Sequence, residues 1–308
     1  MLRSILVPLD GSDFSERSLP LAGEVARASG ARLHLAHVHI PHEPEHLIGN
    51  TSFQYEGIDF SEYEERQLRR ELEYLANVEK KFDGNGTLVD SALLEGGSVV
   101  DELAEYARQV DTDMIFITSH AYAGLRRAWL GSTMEEVLRR TGSPMLVVHP
   151  PREELDAEPV TRLRHFLVPL DGSPLAESVL GPAAELARAT GARMTLLRVL
   201  NEPVLLGPRI QPIMPDRLEP DRTLAVDYLE RLAEDLRQEG LDVRVEARQG
   251  NSAARTIAEV AEDLEADLIA LATHGYGGLR RTLAGSVADT LLHAVRLPML
   301  LIRPPFLA

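Results

Sequence analysis

The residues best suited to chemistry lie at 272–286, reading Ala-Thr-His-Gly-Tyr-Gly-Gly-Leu-Arg-Arg-Thr-Leu-Ala-Gly-Ser. Gly275, Gly277, Gly278 and Gly285 permit positive φ and close approach of backbone to a ligand. The apolar run 268–271 before them has the length of a buried strand, and 287–295 after them has helical apolar spacing. A loop from strand end to helix start gathers backbone N–H groups and the positive end of a helix dipole into one concavity, which suits a phosphate. The competing reading is a glycine-rich surface turn with an ordinary cap, since Ser286 with Asp289 is a weak capping-box pattern. His274 could orient phosphate or move a proton, but no paired nucleophile or carboxylate accompanies it, and a structural hydrogen bond is the favoured reading.

A second candidate is Asp171, in an Asp-Gly-Ser turn after the apolar run 165–170. In an open parallel sheet, ligands bind beyond the carboxyl ends of strands where the winding reverses. If the strands before Asp171 and before the glycine loop are neighbours, the carboxylate faces the loop across one crevice. It could then accept ribose hydroxyls or help hold a divalent ion, while Ser286 and the loop N–H groups take phosphate oxygens. The plain alternative is an aspartate that bonds its own turn. No G-x-G-x-x-G follows the first strand, which argues against a dinucleotide-binding Rossmann site, and neither Lys80 nor Lys81 stands in a P-loop, so a Walker-type ATPase has no lysine to work with.

These residues occur twice. ILVPLDGS at 5–12 returns as FLVPLDGS at 166–173, and LAGEVARASGARLHLAHV at 21–38 as PAAELARATGARMTLLRV at 182–199. Thr118-Ser-His-Ala121 answers Ala272-Thr-His-Gly275, Gly131-Ser132 answers Gly285-Ser286, and PMLVV at 144–148 answers PMLLI at 298–302. A repeat this long is a duplicated domain rather than a solenoid unit. At roughly 100–200 residues per domain, a chain of 308 residues has room for two. The boundaries are set at 1–150 and 164–308, with 151–163 as linker after Pro150 and Pro151.

The elements that must position these residues alternate strand and helix, the signature of an α/β domain with a parallel sheet. Strands are expected at 4–9, 31–39, 87–93, 113–118 and 144–148, and helices at 13–29, 61–81, 98–109 and 132–141. The second copy repeats them as strands at 165–170, 192–199, 241–247, 267–272 and 298–302, and helices at 174–190, 220–239, 252–264 and 286–296. The long segments 40–60 and 201–219 read as lids or partner-binding loops.

With 44% hydrophobic and 26% charged residues and no cysteine, the chain reads as an ordinary soluble protein without disulfides or thiolate chemistry, compatible with a cytoplasm. A net charge of −16 disfavours nucleic-acid and acidic-membrane partners, and no signal peptide or membrane span is evident. His34, His37, His39, His42 and His46 crowd one region, but their spacing fits no standard metal site, and solvated or strand-end histidines are expected. Arg126, Arg127, Arg280 and Arg281 lie within the loops, as phosphate partners or as solvated side chains. The acidic run Glu62, Glu64, Glu65, Glu71 and Glu73, interleaved with arginines, reads as a solvated helix face.

Over nearly its whole length the chain resembles a tandem universal stress protein, on the doubled Val-Pro-Leu-Asp-Gly-Ser, the His and Gly-Ser of the loop, and the final Pro-Met-Leu strand. Nucleotide-binding members carry Gly, two residues, Gly, nine residues, Gly, then Ser or Thr; here that pattern reads Ala272, Gly275, Gly285, Ser286. The resemblance implies a Rossmann-like, adenine nucleotide alpha hydrolase-like fold: two open five-stranded parallel sheets of order 3-2-1-4-5, paired through their last strands as a pseudo-dimer. It also implies ATP or another adenine nucleotide as ligand, with Mg or Mn a conceivable companion, and homodimers of the whole chain. Asp171 and the backbone near Val199 would hold ribose and adenine, and Gly275, Gly285, Ser286 and Val287 the phosphates, with Leu170, Ala272 and His274 completing the second site.

The first site would comprise Leu9, Asp10, Val38, His120, Gly131, Ser132 and Thr133. It departs further from the family, with Thr118 and Ala121 at the two leading glycine positions. If a left-handed backbone is needed at Ala121, alanine costs roughly 1–2 kcal/mol, so weaker binding is expected there. The expected role is a stress-response binding and signalling module with at most slow ATP hydrolysis. Its rivals are a nucleotide-dependent transferase or hydrolase using His274 and Asp171 with a metal, and a scaffold that binds no nucleotide.

Overall fold

A computed structural model describes residues 1–41, 60–119, 132–149, 161–201, 218–273 and 286–303. The first half runs β1 (Ser4–Leu9), α1 (Leu19–Ser29), β2 (Arg32–His39), α2 (Phe60–Glu79), β3 (Leu88–Glu95), α3 (Val99–Gln109), β4 (Met114–Thr118), α4 (Ser132–Thr141) and β5 (Met145–Val148). The second runs β6 (His165–Pro169), α5 (Pro174–Glu177), α6 (Leu180–Thr190), β7 (Arg193–Asn201), α7 (Leu218–Gln238), β8 (Val243–Gly250), α8 (Ala253–Asp263), β9 (Leu268–Ala272), α9 (Ser286–Ala294) and β10 (Met299–Ile302). His42, His46, His120, Arg126, Arg127, Gly131, His274, Gly275, Gly277, Gly278, Arg280, Arg281 and Gly285 lie outside the described residues, as does most of the linker and of 40–60 and 201–219.

The strands form one sheet of order β3-β2-β1-β4-β5-β10-β9-β6-β7-β8. Each half therefore has its first strand at the centre and its third at the edge, and all pairings within a half are parallel. The two expected five-stranded sheets are fused by the antiparallel pair β5 and β10, with Leu300 opposite Leu146. Central strands such as Met114–Thr118 are buried throughout because helices cover both faces, while edge strand β3 is largely exposed or half-buried.

Two apolar layers follow from this burial. On one face Leu21, Leu75, Phe166, Leu186 and Leu229 pack beneath α1, α2, α6 and α7. On the other, Leu103, Val137, Ile257 and Leu291 pack beneath α3, α4, α8 and α9. Both layers draw residues from both halves, so the chain has a continuous core across the seam.

The helices expected at 13–29 and 174–190 are interrupted. In the first, a 3-10 turn at Ser15–Ser18 precedes α1; in the second, α5 ends before α6 begins. Pro20 and Pro182 supply no N–H, and their rings conflict with the carbonyls four residues earlier, at Glu16 and Ser178. Both longer helices then end on a left-handed glycine, Gly30 at φ 71° and Gly191 at φ 70°.

Candidate functional site

The strand order brings β1 beside β4 and β6 beside β9, so the winding reverses at the first strand of each half. Leu170 and Asp171 follow β6 directly, Ala272 ends β9, and Val199 lies near the end of the neighbouring β7. Ser286 and Val287 open α9, with Ser286 exposed and Val287 half-buried. In the first half Leu9 ends β1, Asp10 follows it, Val38 lies near the end of β2, and Ser132 and Thr133 open α4. The expected site residues that are described thus gather at strand ends and helix starts.

Both aspartates shape their turns. The backbone N–H of Ser173 donates to Asp171 Oδ1 at 2.9 Å and that of Ser12 to Asp10 Oδ1 at 3.0 Å, and both serine hydroxyls donate to the same oxygens. Gly11 and Gly172 take φ of 83° and 79°, which glycine alone adopts without strain. Ser173 Oγ in turn accepts from Ala176 N–H at 3.1 Å and caps α5. Each carboxylate is held in a fixed orientation at the carboxyl edge of the sheet, so the turn reading and the ligand reading are compatible.

Residues not singled out in the sequence surround these turns. Arg198 Nη1 donates to the carbonyl of Leu170 at 3.2 Å, and His37 Nδ1 lies 2.9 Å from the carbonyl of Leu9. Tyr228 Oη donates to Glu177 Oε1 at 2.8 Å. Burial, followed by the Glu177 hydrogen bond and charge, raises the Tyr228 phenol above its ordinary pKa; burial and then Glu16 do the same to Tyr74. Aligning the two copies would have exposed this set, because it pairs Glu16 with Glu177, Tyr74 with Tyr228 and His37 with Arg198.

The first half also carries an acid–imidazole cluster. His39 is 2% exposed and lies 2.6 Å through Nε2 from Glu64 Oε1 and 2.7 Å through Nδ1 from Glu71 Oε2. Glu71 Oε1 is 3.7 Å from His37 Nε2. Burial pushes His39 down, but hydrogen bonds and charge from Glu64 and Glu71 outweigh it and raise the pKa. Of the two expectations, solvated or strand-end histidines, the first is corrected: His34, His37 and His39 are all buried, since their strand is covered by helices, while His37 and His39 do lie at the end of β2. Two glutamates of the acidic helix likewise turn inward, seven positions apart and so on one face. Among the described residues no cluster of three His, Asp or Glu has the geometry to hold a metal.

At the seam, the Ser119 hydroxyl is 2.8 Å from His149 Nδ1, and burial, with His293 nearby, pushes His149 down to about 4. Ser119 and Thr273 take equivalent places, their N–H groups donating to Val148 and Ile302 carbonyls at 2.9 and 2.8 Å. These bonds anchor the start of each loop to the last strand of its half.

Comparison with known proteins agrees with this architecture. The chain is 27% identical over 303 residues to a universal stress protein of Mycolicibacterium smegmatis, covering 97% of each. It is 28% identical over 194 residues to universal stress protein Rv2005c of Mycobacterium tuberculosis, spanning 63% of this chain and 62% of that protein. In fold it matches the crystal structure of a universal stress protein from Archaeoglobus fulgidus with a TM-score of 0.65 and 18% identity, covering 98% of this chain and 97% of that one. The model of the Universal stress protein family matches twice, at residues 1–149 and 162–303, and the chain belongs to that family as a tandem member.

Proposed function

We propose that the second half binds ATP or another adenine nucleotide at the carboxyl ends of β6, β7 and β9, and that the chain is a cytoplasmic stress-response module. The observation that supports this reading is the pairing of β6, which the fixed Asp171 carboxylate follows, with β9, which ends at Ala272. The nucleotide-loop pattern occupies the stretch between β9 and α9. A carboxylate suits ribose hydroxyls, and the N–H groups of a helix start suit phosphate oxygens. Gly172 at φ 79° lets the turn hold the Asp171 carboxylate in place, with Arg198 Nη1 3.1 Å from where its Cβ would stand. Within this reading Leu170, Asp171, Val199 and Ala272 line the nucleoside side, while His274, Gly275, Gly285, Ser286 and Val287 take the phosphates. The equivalent set Leu9, Asp10, Val38, His120, Gly131, Ser132 and Thr133 forms the weaker site.

Mass spectrometry of ligand released from purified chain, followed by titration with ATP, tests the reading. Adenine nucleotide is expected from the wild type. Asp171→Asn keeps an acceptor for the Ser173 turn but removes the charge, and should weaken ATP on the order of tenfold. Gly275→Val should weaken it at least as much. Wild-type affinity in both variants would end the assignment.

A further inference from the structure

The two halves differ in what lies at the end of their second strand. His39 closes β2, with Glu64 and Glu71 of α2 on its two ring nitrogens. In the register that matches Tyr74 with Tyr228, the second half has Leu200, Leu218 and Ala225 at these places. One half thus holds a polar cluster where the other has three apolar residues. A carboxylate only accepts, so an imidazole bonded to two of them through both nitrogens holds one proton more than the neutral ring. With that proton a cation stands between two anions; without it two anions share a neutral ring that is 2% exposed.

The charges around the cluster come from every neighbouring element. His37 of the same strand has Nε2 3.7 Å from Glu71 Oε1, and the Tyr74 ring lies edge-on to it at 6.1 Å. Glu95 of β3 is the register partner of His39 and adds a further carboxylate at the exposed edge. Lys81 pairs with Glu16, and Arg27 of α1 with Glu24, while Arg66, Arg69 and Arg70 of α2 are exposed. Among the described residues, the cation set between Glu64 and Glu71 is therefore the His39 ring.

We infer that this cluster is a proton-binding site that fastens the first half: the proton shared by His39, Glu64 and Glu71 holds the early turns of α2 onto the end of β2, and its loss lets them part. The second half, apolar in sequence at the same place, has no such response. Loosening reaches the first crevice, because Glu71 also lies against His37, whose Nδ1 is 2.9 Å from the Leu9 carbonyl that precedes Asp10. Burial opposes the charged ring, but hydrogen bonds and charge from Glu64 and Glu71 overcome it and raise the His39 pKa. The fastening is thus complete below the unfolded value of about 6.5 and is lost as pH rises through the higher folded value.

The test follows amide exchange of the full chain by mass spectrometry from about pH 6 to about pH 9, each rate divided by its intrinsic rate at that pH. In the wild type, protection across 61–75 should fall on the order of tenfold relative to 222–229 of α7, as the charge-assisted bonds are lost. Glu71→Gln keeps an acceptor but removes a charge, so the fall should come at lower pH. His39→Leu should abolish it. Because that variant leaves two carboxylates beside an apolar side chain, the triple variant His39→Leu, Glu64→Leu, Glu71→Ala, which copies the second half, is measured with it. The triple variant should match the wild type at about pH 6 and keep that protection at alkaline pH. Protection that stays flat with pH in the wild type would overturn the inference, as would a fall that persists at the same pH in the triple variant. An equal fall across 222–229 would mean general loosening and would overturn it too.

Discussion

His39 has both ring nitrogens on carboxylates, an arrangement that favours the doubly protonated ring. Its folded pKa is raised, so its contribution to stability is present below the unfolded value of about 6.5 and is lost as pH rises through the higher folded value. The second half has Leu200 at the corresponding strand position, so His39→Leu tests the ion cluster without an alien shape. The variant should lose about 1–3 kcal/mol near pH 6, because Glu64 and Glu71 are left without their shared cation. In urea melts the deficit should shrink toward alkaline pH; a deficit that is constant with pH would refute the charged-ring account. The sequence showed three histidines on one strand, His37 and His39 on the same face, but not their burial, since a strand pattern does not reveal which helix will cover it or which glutamates will face inward.

Helices and strands were mostly legible, because each is announced by a local period and local breakers. The exceptions have local causes that were also visible: Pro20 and Pro182 stood inside the expected spans 13–29 and 174–190 and break them. Packing between elements was not legible. Gly23 in α1 faces Phe82, and a Cβ there would lie 2.5 Å from the ring at Cε1. Alanine gains roughly 0.5–1 kcal/mol of helix propensity at such a site, but overpacking costs about 1–3 kcal/mol. Gly23→Ala should therefore destabilise the chain by about 1 kcal/mol net. A raised thermal midpoint would mean that Phe82 moves aside freely.

Across the whole chain, the seam between halves is itself core. Leu146 and Leu300 lie opposite each other in β5 and β10, each fully buried in the same apolar layer. Each change to alanine should cost about 2–5 kcal/mol. Because the two side chains share one packing environment, the double variant should depart from additivity by at least about 0.5 kcal/mol. Strict additivity in denaturant melts would indicate that the halves are energetically separate despite the shared sheet.

The duplication made two α/β units readable from residues alone, and the family likeness supplied their strand order and the expectation that last strands would pair. Strand, helix and turn depend on neighbours a few positions away, so the repeated Asp-Gly-Ser turn and the flanking apolar runs were enough. The reach of Arg198 onto Gly172, the closure of Glu64 and Glu71 on His39, and the register that sets Leu300 against Leu146 join segments far apart along the chain. Such contacts follow from side-chain direction and sheet register once the layers have packed, and no local pattern encodes either.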